Sequence, residues 1–281
     1  MLKINSYNES SFSFYNEVVS SKRNTSNKPM LKEELQTISN AQSSYFDVYD
    51  EAFSSNSLAM IEAVSYNNND KANLNTLYSY RSKKIQELKN LLTRHPLHTE
   101  NILNTCQNCT INEADTMDHV LAQTEFPEFA VHPKNLFPCC SFCNKKKSDK
   151  YVDEEGNQLF LNLFLDDLPQ SQYLHVDFGD NWLPRFYLEQ PTDVPDNIFN
   201  LIESHYERLN LLTRFSDNSN KTISSLRSTI SIFGGIDILD IVNKMEEYCL
   251  EQEIFLGYNH REIILYRALG SSEEFILECM R

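Results

Sequence analysis

The chain has 281 residues, 41% of them hydrophobic and 23% charged, with a formal net charge of −15. This length supports one large domain or two modest ones with a buried core. No apolar run approaches the roughly 18 residues of a membrane helix, and the N-terminus lacks the basic and apolar segments of a signal peptide. We therefore expect a cytoplasmic protein that has no membrane partner.

The first third of the chain predicts helices. Residues 1–30 are rich in Ser and Asn and predict a loosely structured segment, or a short strand with a loop. Apolar residues at helical spacing predict helices over 31–40 and 43–65, and the polar run 67–70 predicts a break. A stronger helix is predicted over 74–94, with Tyr78 on its apolar face, and Pro96 ends it. Residues 1–98 thus form a predicted N-terminal helical region.

The last part of the chain predicts a small sheet and then helices. Short alternating runs over 159–164, 173–178 and 185–188 predict strands. Helices are predicted over 198–212, 222–233, 236–255 and 260–280, and the stops between them fall at Gly234-Gly235 and at Gly257. The predicted fold class is α+β and mostly helical, with a compact metal unit over 99–155 and the sheet and C-terminal helices over 156–281.

Five of the seven cysteines lie between Cys106 and Cys143. They include two C-x-x-C pairs, Cys106 with Cys109 and Cys140 with Cys143. An odd number of cysteines in one cluster is atypical of a secreted disulfide framework and typical of a metal site. Four thiolates suit tetrahedral Zn²⁺, so the pairs predict a structural zinc site. Cys139 breaks the spacing and is interpreted as a bystander. Free buried cysteines or a redox pair are the alternative.

The charge is unevenly distributed along the chain. Residues 81–150 contain 10 Lys and Arg against 8 Asp and Glu, and the remainder is strongly acidic. A locally basic patch can bind a polyanion, while an acidic body limits non-specific attachment. A basic run follows the second cysteine pair at Lys145, Lys146, Lys147 and Lys150. We predict that these side chains contact phosphates; a solvated helix face is the alternative.

The segment between the cysteine pairs resembles the HNH (ββα-metal) endonuclease family, with the resemblance covering about 104–150. The matching residues are Asp118-His119, Asn135-Leu136 and Cys143-Asn144-x-x-Lys147. The family implies a two-stranded ribbon followed by a helix that together hold one divalent ion. The sequence departs from many relatives at Ala122-Gln123, where those relatives carry Pro-Lys.

The resemblance assigns a role to each matching polar residue. It implies that His119 takes a proton from the attacking water, since histidine is a suitable base near neutral pH. It implies that Asp118 and Asn144 hold Mg²⁺ or Mn²⁺, a hard cation that prefers oxygen ligands. Asn135 would hold the loop and orient the histidine through hydrogen bonds. We expect its loss to harm activity less than the loss of His119.

The regions outside the segment resemble the family less sharply. The predicted sheet and the helix after it resemble stand-alone bacterial HNH proteins of anti-phage and mobile-element neighbourhoods. His205 and Arg208 on that helix could reach phosphates, although a packing or salt-bridge role is the preferred interpretation. His132 could contact substrate or act as another base, and again a local structural role is preferred.

These observations predict a metal-dependent endonuclease that cuts DNA, with RNA left open as a substrate. The predicted cofactors are structural Zn²⁺ and a catalytic Mg²⁺ or Mn²⁺. The helical flanks predict a protein partner or a homodimer. The alternative function is a zinc-stapled module that binds nucleic acid or a protein without cutting.

Overall fold

The computed structural model describes residues 1–232 and 236–281. It is mostly helical and contains two small antiparallel sheets, which confirms the predicted α+β class. Two compact units are distinguished. One comprises Lys3–Cys106 with Asn112–Asp166, and the other comprises Met1–Leu2, Gln107–Ile111 and Asp167–Arg281. Within the described ranges, none of the helices combines the length and apolar character that crossing a membrane requires.

The unit that contains Asn112–Asp166 holds five helices and one two-stranded sheet. Its elements are α1 (Ser11–Ser21), α2 (Leu31–Ser54), α3 (Asn68–Asn75), α4 (Lys83–Leu92), β1 (Thr116–His119), β2 (Leu136–Cys139) and α5 (Ser141–Lys147). Short 3₁₀ turns lie at Leu58–Met60 and Pro127–Phe129.

The N-terminal helices differ from the prediction in two places. Residues 1–30 contain α1, because the Ser10 side chain accepts a hydrogen bond from the Ser13 backbone and caps the helix, while Phe14 and Val18 are buried. The two helices predicted over 31–40 and 43–65 are one helix, α2, which runs without interruption from Leu31 and ends at Ser54 rather than at residue 65.

The predicted helix over 74–94 is also wrong, because it is divided. Asn67 caps α3 by accepting from the backbone of Asp70, so the polar run begins a helix rather than ending one. Residues 76–82 then form turns, and Ser82 caps α4 by accepting from the backbone of Ile85. Tyr78 therefore lies in a turn between two helices and not on a helical face.

The sheet of this unit joins β1 to β2 in antiparallel register, with Asp118 opposite Phe137 and His119 opposite Leu136. Helix α5 starts two residues after β2. Asp115, just before β1, accepts hydrogen bonds from the backbone nitrogen (2.6 Å) and the hydroxyl (3.1 Å) of Ser141. The first turn of α5 is thereby held against the beginning of β1.

The predicted strand over 159–164 is wrong. All six residues are buried, but the chain turns at Asn162 instead of extending. The Asn162 side-chain oxygen accepts from the backbone of Phe164, and its backbone nitrogen donates to Asp166. This short polar side chain gives the backbone a local alternative to strand pairing.

Among its described residues, the other unit contains the second sheet and six helices. Its elements are β3 (Leu174–Phe178), β4 (Pro184–Leu188), α6 (Asp196–Arg208), α7 (Leu211–Asp217), α8 (Asn220–Ile232), α9 (Ile238–Leu256), α10 (Arg261–Gly270) and α11 (Glu273–Met280). Strands β3 and β4 pair with each other in antiparallel register, and they confirm the strands predicted over 173–178 and 185–188.

Two predicted helices of this unit are each divided. Asn210 adopts a left-handed conformation (φ 51°) and separates α6 from α7, while Ser272 caps α11 and separates it from α10. Gly257 ends α9 with φ 91°, as predicted. The stop predicted at Gly234-Gly235 lies outside the described residues.

Candidate functional site

The four cysteines of the two C-x-x-C pairs form one buried cluster. The Sγ atoms of Cys106, Cys109, Cys140 and Cys143 all lie within 4.8 Å of one another. Zinc–sulfur bonds of about 2.3 Å in a tetrahedron require sulfur atoms in close mutual proximity, and thiolates are ligands that Zn²⁺ favours. The donor set therefore fits a structural zinc ion. Among the described residues, this is the one group of Cys, His and acidic side chains that meets the geometry of a metal site.

Cys140 also begins helix α5. Its Sγ accepts a hydrogen bond from the Cys143 backbone nitrogen at 3.4 Å, and the Asn112 side chain donates to the same sulfur at 3.7 Å. Cys139 is buried beside it on β2 but does not belong to the cluster. Burial raises the pKa of the Cys139 thiol, so this side chain stays a protonated, small apolar group.

His119 ends β1, and its side chain is partly exposed. Its Nε2 lies 2.9 Å from the backbone oxygen of Ala130. A carbonyl oxygen only accepts hydrogen bonds, so the neutral ring carries its proton on Nε2 and its lone pair on Nδ1. Desolvation lowers the pKa of His119 to about 4. The imidazole is therefore neutral near pH 7, which is the form that can accept a proton.

Asn135 holds the loop that joins β1 to β2 in place. Its Nδ2 donates to the backbone oxygens of Leu121 and Phe129, both at 3.1 Å, and its Oδ1 accepts from the Leu121 nitrogen at 2.7 Å. The Tyr49 hydroxyl of α2 donates to the same Oδ1 at 3.1 Å. Because Phe129 precedes Ala130, this fully bonded amide holds the chain next to the Ala130 carbonyl that orients the His119 ring.

Asp118 and Lys147 form a buried ion pair. The Lys147 Nζ lies 3.2 Å from Oδ2 of Asp118 and also donates to the backbone oxygens of His119 (2.7 Å) and Val120 (3.3 Å). Burial raises the pKa of the Asp118 carboxyl, and the ammonium of Lys147 opposes that shift. Lys147 thus lies inside the site, whereas Lys145, Lys146 and Lys150 of the basic run are exposed.

Asn144 faces β1 from the first turns of α5. Its Nδ2 lies 3.4 Å from Oγ1 of Thr116 and 3.5 Å from the backbone oxygen of Met117. Asp118 is the residue after Met117 on β1. Strand β1 and helix α5 therefore each carry one of the two predicted ligands of a divalent ion. A carboxylate and an amide oxygen are suitable donors for Mg²⁺. A carboxylate offers several lone-pair positions, and in this structure its partner is the ammonium of Lys147.

Sequence reasoning missed two tyrosines that contact this site. Tyr49 reaches Asn135 from α2, and Tyr78 reaches β1 from the turn after α3, where its hydroxyl donates to the Met117 oxygen at 3.0 Å. Both contacts join residues far apart in the chain, and neither tyrosine belongs to a local motif. Gln123, where many family members carry lysine, donates to the backbone oxygen of Asn75 at 3.0 Å.

The remaining histidine and arginine candidates lie in other surroundings. His132 is fully buried among the rings of Phe46, Tyr49 and Phe129, and burial moves its pKa well below the usual value. Its position agrees with the preferred structural role.

His205 and Arg208 both lie on α6. His205 is buried, with its Nε2 2.9 Å from the backbone oxygen of Asn108. The Arg208 Nε donates to the Ser204 hydroxyl on the same helix. Both side chains thus bond to groups of the protein, and a structural role was the preferred interpretation of the sequence for both residues.

Comparison with known proteins gives one distant relative. Protein ea31 of Escherichia phage lambda is 24% identical to the chain over 190 residues. The aligned region covers 60% of the chain and 62% of the phage protein, so the chain spans less than two thirds of that relative's length. No protein-family model and no solved structure matches the chain.

Proposed function

We propose that this protein is a metal-dependent endonuclease of the HNH type that hydrolyses phosphodiester bonds in DNA, with His119 as the general base. The observation that carries the proposal is the position and orientation of His119. This residue ends β1, and β2 and α5 follow it in the chain. A neutral imidazole has its proton fixed on Nε2 by a carbonyl, and Asn135 fixes the loop that bears this carbonyl. Such an orienting contact is the usual support of a catalytic histidine.

The roles of the residues follow from their atoms. Nδ1 of His119 accepts a proton from the attacking water, and the hydrogen bond from Nε2 to Ala130 keeps the ring oriented and stabilises the imidazolium that forms. Asp118 and Asn144 would hold Mg²⁺ or Mn²⁺, and the ion would supply positive charge beside the scissile phosphate. Lys147 limits the negative charge that accumulates around Asp118.

The exposed lysines of the basic run support a polyanionic substrate. Lys145, Lys146 and Lys150 are exposed on α5 and just after it, and they follow Asn144 directly in the sequence. Contacts of this kind position a nucleic acid without reading its sequence. Lys146→Glu should weaken DNA binding and reduce the dependence of that binding on salt concentration.

A plasmid-cleavage assay tests the proposal. Wild type is incubated with supercoiled DNA and with RNA in Mg²⁺, Mn²⁺ or EDTA, and His119→Ala is compared under the same conditions. We expect nicking or linearisation that requires the metal and is lost in the variant. His98→Ala is a matched control because that imidazole lies outside the site, and it should retain full activity.

A second candidate function is binding without cleavage. The ion pair of Lys147 with Asp118 favours it, because a buried carboxylate that already has a cationic partner is also a stable structural element. Under this function, Asn144→Ala retains full DNA binding, and no metal supports cleavage by wild type. Under the nuclease proposal, Asn144→Ala loses cleavage.

A further inference from the structure

The N-terminal region contributes an aromatic side chain to the candidate active site. Tyr78 lies in the turn between α3 and α4, outside the segment that resembles the HNH family. It is directed at β1, where its hydroxyl donates to the Met117 backbone oxygen at 3.0 Å. Its ring meets the imidazole of His119 edge to face, with the centroids 4.6 Å apart and the planes at 73°.

The contact with His119 restricts the imidazole. The ring of His119 has a hydrogen bond at Nε2 to Ala130 and the Tyr78 ring packed against it. Edge-to-face packing of this kind favours one mutual orientation of two rings. A histidine that is held by both the hydrogen bond and the ring contact does not rotate between conformers, so its Nδ1 stays aligned for proton transfer. A general base requires such alignment.

The contact with Met117 connects Tyr78 to the other half of the site. The oxygen that accepts from the Tyr78 hydroxyl is also 3.5 Å from Nδ2 of Asn144. A carbonyl has two lone pairs and can accept both donors. With Nδ2 directed at Met117 and Thr116, the Oδ1 atom of Asn144 is the end of the amide that remains for a metal ion.

We propose that Tyr78 is a positioning residue that holds His119 and Asn144 in a single arrangement. This inference rests on the proposed nuclease function. The Tyr78 ring positions His119, and the Tyr78 hydroxyl positions Asn144 through the Met117 oxygen. Substitutions can therefore separate the effect on the base from the effect on the metal ligand. Tyr78→Phe removes the hydroxyl and keeps the ring, while Tyr78→Leu removes both.

The test measures plasmid cleavage by the full chain as a function of Mn²⁺ concentration. Tyr78→Phe should raise the Mn²⁺ concentration for half-maximal rate by about 10-fold and leave the maximal rate nearly unchanged, as expected for a residue that orients a metal ligand. Tyr78→Leu should in addition lower the maximal rate by about 10- to 100-fold, because the base loses its alignment. A purely structural role would not separate the two parameters.

Tyr80→Phe is the matched control. Tyr80 lies in the same turn, and its ring faces the Lys89 ammonium at 6.0 Å instead of the site. The zinc content of Tyr78→Phe should equal that of wild type, and its thermal unfolding should change only by the small amount that the loss of one hydrogen bond causes. Tyr80→Phe should keep the wild-type Mn²⁺ dependence and maximal rate. If both Tyr78 variants keep them as well, the positioning role is overturned. The nuclease proposal stands in that case, provided that wild type cleaves and His119→Ala does not. If wild type cleaves nothing in Mn²⁺, the nuclease proposal falls, and the positioning role falls with it.

Discussion

The ammonium of Lys147 lies 3.2 Å from the Asp118 carboxylate, and both side chains are almost completely buried. The lysine also donates to two backbone oxygens at the end of β1. One side chain therefore joins the last residue of α5 to the strand that carries the candidate base. A charge in this environment is tolerated only because its partner is present.

Removing Lys147 should destabilise the protein. Lys147→Met leaves the Asp118 carboxylate buried without a partner, and we expect a loss of about 3 to 5 kcal/mol in the free energy of unfolding. Lys145→Met, on the exposed face of the same helix, should change it by less than about 0.5 kcal/mol. Urea denaturation measures both. Recovery of most of the lost stability in the double variant Asp118→Asn with Lys147→Met would identify the unpaired charge as the cause, and equal stability of the two single variants would contradict the buried pair.

The cysteine cluster predicts which of two adjacent cysteines binds metal. Cys140→Ser should lose bound zinc and a large part of its thermal stability, because zinc binding contributes directly to the folding of such small units. Cys139→Ala should retain the zinc, since its thiol is outside the cluster. Atomic emission spectroscopy of the purified variants measures the metal. Zinc retained in Cys140→Ser and lost in Cys139→Ala would reverse the assignment.

The hydrogen bonds of the Asn135 side chain predict how much stability two substitutions cost. Asn135→Ala leaves several buried backbone groups without partners and should cost about 3 kcal/mol or more, since each such group costs about 1 to 3 kcal/mol. Tyr49→Phe removes a single hydrogen bond to the same amide and should cost about 1 kcal/mol. Chemical denaturation compares the two. A larger loss in Tyr49→Phe than in Asn135→Ala would be inconsistent with the central place of the amide.

Glu128 predicts a pH dependence of stability. Burial raises the pKa of Glu128 from 4.5 to about 7. The folded state then holds this proton more tightly than the unfolded state, so the free energy of unfolding falls as pH rises from about 4.5 to about 7 and is level above that range. A shift of this size corresponds to at most about 3 kcal/mol.

Substitution isolates the contribution of Glu128. Glu128→Gln should be more stable than wild type at pH 8 and should match it near pH 4.5, while Glu125→Gln, at an exposed position nearby, should follow the wild-type profile. Thermal melts across this pH range provide the comparison. Parallel profiles for wild type and Glu128→Gln would show that the carboxyl is not perturbed.

The sequence predicted the parts of the molecule that depend on local patterns. The spacing of the cysteines predicted a cluster that the structure contains, and the alternating runs 173–178 and 185–188 predicted β3 and β4. The errors arose where a short polar side chain decides the local backbone. Ser10 and Asn67 begin helices that composition alone assigns to loops. Asn162 turns the chain within a run that is apolar at its other five positions and that predicts a strand.

Long-range contacts account for what the sequence could not predict in the site. Nothing in the sequence around Tyr78 indicates that it faces His119, because the division of the predicted helix over 74–94 is what releases it toward β1. The basic run likewise does not distinguish Lys147 from Lys146. Only the register of α5 against β1 makes one lysine a buried partner of Asp118 and leaves the other exposed.

The position of Cys140 at the start of α5 has a consequence for the growing chain. Asp118 and His119 leave the ribosome before the second cysteine pair, and Asn144 lies one turn beyond the sulfur that caps its helix. Under the proposed function, a nascent chain carries the base before it has the second metal ligand or the complete set of thiolates. The second predicted metal ligand and the last two thiolates are therefore supplied by the same short stretch of chain, so the zinc site and the proposed catalytic site are completed together.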